Sequence, residues 1–218
     1  MDLTLYQKMI GTNNSNITQA YINDTITHVN EMFSKSPSYR QAKIDGIDSD
    51  CIISRKKSKQ MDLLLRPSTI VSEGSYVDFK EDTFIVLDFV DNEIYPKASI
   101  SLCNRILKWK LSNGDIKEYK CFVKGATYEE DKMKTVYTSN GELIVYVQYN
   151  DDTKTIKPQT RFIFDESVYE VASIDNVSNV YNGKGVLKLG MTFTNTTSTD
   201  DKDNQIADSS GNSGWGGW

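Results

Sequence analysis

The chain has one histidine, four prolines and three cysteines among its 218 residues. The single His28 leaves a Ser-His or Cys-His catalytic pair only one candidate base, and no Ser or Cys stands in a nucleophile-elbow context. Cys51, Cys103 and Cys121 are too widely spaced for a CxxC pair. They suggest neither a zinc site nor a disulfide framework, and buried thiols in a reducing cytosol are the plain reading. GxxxxGK[ST], GxGxxG after a strand and HExxH are all absent, and with them the phosphate-cradling loops and the zinc helix. No apolar run approaches the ~20 residues that span a bilayer, and the opening MDLTLYQKMIG lacks the basic and apolar regions of a secretory signal. The expectation is a protein without membrane association, made in a cytoplasm.

Charge is not concentrated in one sign. Twenty-five basic and thirty acidic residues give a net −5, so no global field draws in nucleic acid. The densest basic run, Arg55-Lys56-Lys57-Ser58-Lys59, carries no interleaved aromatics and reads as a solvated strand end or loop. Carboxylates are plentiful, and a glycosidase-type pair such as Glu166 with Asp175 is open on sequence grounds alone. The segment TDDKDN at 199–204 offers close oxygen ligands but lacks the Gly and the terminal Glu of a calcium loop. These features imply no catalytic residue, no metal and no cofactor.

What the chain has is alternation. Tyr and Phe number 12 and 8, and Ile, Val and Thr recur throughout, a composition that favours strands. The expected fold is mainly β: an N-terminal helix followed by antiparallel hairpins forming one or two small barrel-like units. Residues 17–33 carry one helical stripe, Ile17, Tyr21, Ile22, Ile26, Val29, Met32 and Phe33, which Ser36-Pro37-Ser38 stops. Asp45-Gly46 and Asn113-Gly114 mark two hairpin turns. The expected organisation is a helical arm at 1–38, a first β unit at 39–125, a second at 126–193 and a flexible acidic, Gly- and Ser-rich tail at 194–218.

VDFKEDTFIVLDF at 77–89 and RFIFDESVYEVASID at 161–175 read alike. An offset of 85 places Phe79 on Phe164, Glu81 on Glu166, Phe84 on Tyr169, Val86 on Val171 and Phe89 on Ile174. Two readings stand: a chance likeness between amphipathic hairpins, or two related barrels whose segments 76–102 and 161–190 superpose. Three tryptophans are the candidate partner-binding residues. Trp109, in a Lys-rich hairpin, reads either as core or as an anchor, while Trp215 and Trp218, among glycines in the tail, read either as anchors for a partner's groove or as an incidental, disordered ending.

The stretches SPSYRQAKIDG, EIYPKASISLCNRILKWKLSNGDIKEYKC and RFIFDESVYEVASIDNVSN, then GKGVLKLGM and a tail with IAD at 206–208, resemble structural proteins of tailed bacteriophages of low-GC Gram-positive hosts. The likeness runs from about Ser36 to Asp208. It implies a non-enzymatic virion protein of the neck, of head-completion, head-closure or adaptor type, assembled in the bacterial host cytoplasm. Its partners would be the portal and other neck or tail proteins, and copies of itself in a ring of six or twelve. Packaged DNA would pass through the channel without sequence-specific contact, which an acidic wall permits. Another virion part, such as a tail terminator, tail or baseplate protein, is the alternative.

Overall fold

Alternating apolar residues become strands wherever a turn residue can reverse the chain. In the computed structural model, Asp45 and Gly46 take φ of 48° and 83° and join β1 (Tyr39–Ile44) to β2 (Ile47–Lys57), the two-residue reversal that matches strand twist. The structure describes Thr4 and residues 17–208, apart from 58, 68, 93, 112, 126, 131–133 and 138–140. Helix α1 (Ile17–Phe33) occupies the predicted span. Its packing is narrower than the stripe implied: Val29 and Phe33 are buried, whereas Tyr21 and Met32 are exposed. Among the described residues of α1, the buried ones lie in its C-terminal half.

The strands β3 (Gln60–Leu65), β4 (Tyr76–Phe79), β5 (Asp82–Val90) and β6 (Lys97–Leu102) complete a closed barrel with the order β1-β2-β3-β6-β5-β4. The next six main strands are β7 (Arg105–Lys110), β8 (Ile116–Gly125), β11 (Leu143–Gln148), β12 (Arg161–Phe164), β13 (Ser167–Asp175) and β15 (Lys184–Thr194). They run β12-β13-β15-β11-β8-β7, the same order, with β7 lying against β12. A side hairpin, β9 (Thr127–Glu130) with β10 (Lys134–Tyr137), and the short β14 (Val180–Tyr181) are additions to this plan. Each unit is therefore two three-stranded antiparallel meanders curled over one core, so that few strand edges stay open.

The two cores are separate. One gathers Leu63, Leu65, Val77, Phe84, Val86 and Ile100; the other gathers Leu107, Trp109, Val145, Phe162, Leu187 and Met191. The boundary falls at Cys103-Asn104, between β6 and β7, and not after residue 125. Hairpin 105–125 belongs to the second unit because β8 pairs with β11, Val145 opposite Val123, and because Trp109 packs on Phe162 at 6.1 Å between ring centres.

The likeness at offset 85 is structural. Lys80 and Asp165 both take positive φ, 57° and 56°, in the two hairpin turns. Register slips fall between Val86 and Asp88 in one unit and between Val171 and Ser173 in the other. Such bulges bend a strand at a chosen place. The backbone bonds Gly74 N–H to Val86 O and Val86 N–H to Ser75 O recur as Gln159 N–H to Val171 O and Val171 N–H to Thr160 O. Outside this segment, buried Cys51 and Cys121 each direct Sγ at a carbonyl, those of Arg40 and Arg105.

The barrels meet where glycine permits it. At Gly74, φ +81°, an added Cβ would lie 1.8 Å from the carbonyl oxygen of Gly185. Gly74→Ala therefore forces the barrels apart in addition to straining a left-handed residue, and we expect a loss of about 3 kcal/mol. Gly183, φ +76°, faces open space, so Gly183→Ala should cost about 1 kcal/mol. Chemical denaturation of the two variants checks the difference; equal losses would contradict a seam held at contact distance.

Candidate functional site

The residues with special chemistry are mostly engaged in architecture. Trp109 is 5% exposed. It lies against Tyr119 and Phe162, and its indole N–H donates to Thr155 Oγ1 at 3.4 Å. It is a core residue and presents no anchor. Trp215 and Trp218 lie outside the described residues. His28 sits on the exposed side of α1. Glu166 stands in the β12–β13 turn and Asp175 at the far end of β13, a nine-residue strand. At about 3.3 Å per residue they are on the order of 25 Å apart, beyond the reach of a paired-carboxylate site. Asp175 instead accepts the N–H groups of Val177 and Ser178, which hold its carboxyl below the usual range.

Burial sets the thiols. It pushes Cys51 up to about 11 and Cys103 up to about 12, and raises Cys121 further; all three are free and protonated at neutral pH. Arg55 and Lys56 are exposed at the end of β2, with Lys56 4.0 Å from Asp62. Asp62 also takes Lys97 at 3.0 Å. Among the described residues, no group of three or more His, Cys, Asp or Glu is placed to hold a metal ion.

Three contact regions organise the surface. The first is the seam between barrels. The Tyr76 hydroxyl donates to the carbonyl of Lys120 at 2.6 Å, and Lys120 Nζ donates to Thr83 Oγ1 at 2.7 Å. Gln148 Nε2 donates to the Gly74 carbonyl at 3.1 Å; beside the seam, Cys103 N–H extends the β5–β6 ladder of the first barrel to the Thr83 carbonyl at 2.9 Å. A groove of about 420 Å³ continues along the seam between Glu73, Phe89, Asn179 and Tyr181.

The second region lies under the end of α1. Arg66 stacks over the Phe33 ring at 4.8 Å, donates through Nη1 to the Asn30 carbonyl at 3.1 Å, and pairs with Asp50 at 2.7 Å. The Tyr39 hydroxyl donates to the same carboxylate. Together Tyr39 and Arg66 hold Asp50 below its ordinary pKa.

The third is the segment 195–208, read from sequence as the start of a loose tail and seated here on the second barrel. Arg161, on β12, donates to the carbonyls of Asn195 and Asp208, to Thr197, and bidentately to Asp200 at 3.0 and 2.9 Å. The Asp200 side chain has no exposed surface. Ala207 is buried against Ile163 and Val168. Sequence reasoning missed this strap because its apolar content is small; one long-range charge pair and two main-chain carbonyl contacts from Arg161 hold it. Burial alone would raise the Asp200 pKa, but the N–H groups of Thr197 and Asp208 and the Arg161 guanidinium outweigh it and hold the group below 3.8.

A tandem of two like antiparallel barrels, tied by a polar seam, is the class that this fold defines. Residues 105–192 match the family model of the YomX C-terminal domain, a phage-derived protein family. The matched span begins at the first residue of β7 and ends within β15, so it coincides with the second barrel. None of the curated proteins matches this chain. Two solved structures are similar over 84% of the chain: MrkH of K. pneumonia in its apo state, with 9% identity, 88% of that chain covered and a TM-score of 0.25; and MrkH described as a c-di-GMP-dependent transcription regulatory factor, with 10% identity, 86% covered and a TM-score of 0.24. At those scores the likeness carries no argument about fold or function.

Two outcomes follow from the packing. Trp109→Ala should cost about 3–5 kcal/mol in denaturant unfolding, as a large core truncation does; a near-neutral change would return it to the surface. Asp200→Asn leaves a largely buried guanidinium without its counter-charge and should cost about 2–4 kcal/mol, read as lost hydrogen-exchange protection at 201 and 206. Because the folded-state pKa of Asp200 is depressed, its contribution is complete above the ordinary value of 3.8 and is lost as pH falls through the lower folded value. Strap protection that is flat from pH 5 to pH 2 would contradict this pairing.

Proposed function

We propose that this chain is a non-enzymatic structural component of a tailed-phage particle, a ring-forming part of the head–tail connector below the portal. The observation that carries the phage assignment is the YomX C-terminal domain match across the second barrel. The neck position comes from the sequence resemblance and is supported by the construction of the molecule. Two barrels tied through main-chain contacts make a stiff spacer, and stiff modules suit a part that must hold a fixed place between neighbours. Net negative charge favours a channel lining over which DNA phosphates slide, and heterologous contacts between copies close into rings.

Imaging of intact particles at side-chain resolution tests the proposal. The expected result is a ring of this chain directly beneath the portal, around the channel. Density for it in the tail tube, at the tail terminator or in the baseplate would make it another virion part. Its absence from purified particles would overturn the structural reading altogether.

A further inference from the structure

Because the two barrels share strand order and register, each face built on the six common strands of one has a counterpart on the other. The face of the first barrel that grips the second is built on Gly74, Tyr76 and Thr83; at offset 85 its counterpart on the second barrel is Gln159, Arg161 and Val168. Of that counterpart, Arg161 and Val168 lie under the 195–208 strap, while Gln159 at its edge is exposed. The face of the second barrel that receives the first is built on Lys120 and Gln148. Arg40 opposite Cys51 matches Arg105 opposite Cys121, and Ile53 opposite Leu63 matches Val123 opposite Val145, so the first-barrel counterparts of Lys120 and Gln148 are Asp50 and Arg66. That pair is the one under α1.

The substitutes also repeat the chemistry. At the seam, Tyr76 donates to a main-chain carbonyl of the facing barrel; its counterpart Arg161 donates to the carbonyls of Asn195 and Asp208. Gln148 donates to the Gly74 carbonyl at 3.1 Å, and its counterpart Arg66 donates to the Asn30 carbonyl at the same distance. Each terminal segment thus stands where a barrel would stand and satisfies the same donor.

We infer that α1 and the 195–208 strap are end caps of a two-repeat array, and that the partner they hold off is a second copy of this chain. The strap-covered face of one copy fits the α1-covered face of the next, in the relation the second barrel has to the first within the chain. Charge favours the pairing: the junction sets Arg161 of one copy at the place where Tyr76 meets Lys120, opposite Asp50 of the other. Gln159 stands where Gly74 does, so the closest backbone approach does not recur, and the junction between chains is looser than the internal seam. Repeat arrays need such caps to stay soluble, and adding units by the same contact is their natural mode of growth. The contact is heterologous, so repetition gives a ring or a filament. This inference deepens the ring-forming reading, yet it concerns purified protein and stands apart from any location in a particle.

The test uses full-length chains. Asp200→Arg sets two guanidinium groups together and frees the strap; Phe33→Asp frees α1. Limited proteolysis confirms each release, and far-UV circular dichroism confirms that the sheets persist; Asp200→Asn and Val29→Asp replace either variant that unfolds. In sedimentation velocity each variant alone should remain a single chain, since it offers one face of a pair. Their mixture should shift to a one-to-one dimer, and the double variant to larger species. Adding Asp50→Lys to the Phe33→Asp chain should abolish the mixed dimer. A mixture that stays monomeric with both caps released overturns the inference, as does either single variant that self-associates to the extent of the mixture. Failure of the particle imaging with success here would relocate the protein without touching the junction.

Discussion

The seam at Gly74 and Gly185 is the constraint on which the molecule depends. Two peptide chains approach until no side-chain atom fits between them, and the polar bonds of Tyr76, Lys120, Thr83 and Gln148 surround that point. Only Cys103 and Asn104 link β6 to β7, so covalent connection and surface contact act at the same place. Both of these residues are engaged there: Cys103 N–H bonds to the Thr83 carbonyl, while the Asn104 side chain pairs with the backbone of Val123. Each linker residue is thus tied to the barrel it adjoins. The relative placement of the barrels follows from backbone geometry more than from large apolar burial.

Repetition explains features that look unrelated one at a time. Lys80 and Asp165, non-glycine residues at positive φ, occupy one turn position in two copies. The bulges at Leu87 and Ala172 occupy one bend. Buried Val71 and Ile156 begin the same segment, just before a turn closed by Ser75 and Thr160. Divergence is concentrated on the outside: the second barrel adds the β9–β10 hairpin and β14, and exposes Val177 and Tyr181 near the latter. Sequence drift with retained register is what a packed barrel tolerates, because volume and alternation are preserved while surface positions are free.

Much of this was legible in the residues. Period-two alternation, Asp45-Gly46 and Asn113-Gly114 marked the strands and turns of the first meanders, and the 3.6-residue stripe marked α1. The repeat was visible as aromatic and acidic positions in phase, but two amphipathic hairpins can share that pattern by chance; bulge and turn conformation decide the matter, and neither is written in hydropathy. The barrel boundary was misplaced because hairpin 105–125 is contiguous with the first unit in sequence and has equally good alternation. Its partner, β11, begins only at Leu143, beyond any local pattern. The strap was read as loose for a related reason. Arg161 and Asp200 are 39 residues apart, and a segment poor in large apolar residues can be seated by one buried ion pair and donated carbonyl bonds. Trp109, open to two readings, was settled by the direction of its strand: Leu107 and Trp109 alternate inward together.

If two repeats locked through a glycine contact are the basis of the structure, they should open as one unit. Native-state hydrogen exchange under rising denaturant reads this directly at Val86 and Val171, whose amides are held by equivalent bonds in the two barrels. The account predicts that both amides converge on a single global opening with the same free energy and the same denaturant slope. If Val86 instead exchanges through an opening of smaller slope while Val171 stays protected, the barrels are independent bodies and the seam is not the constraint described.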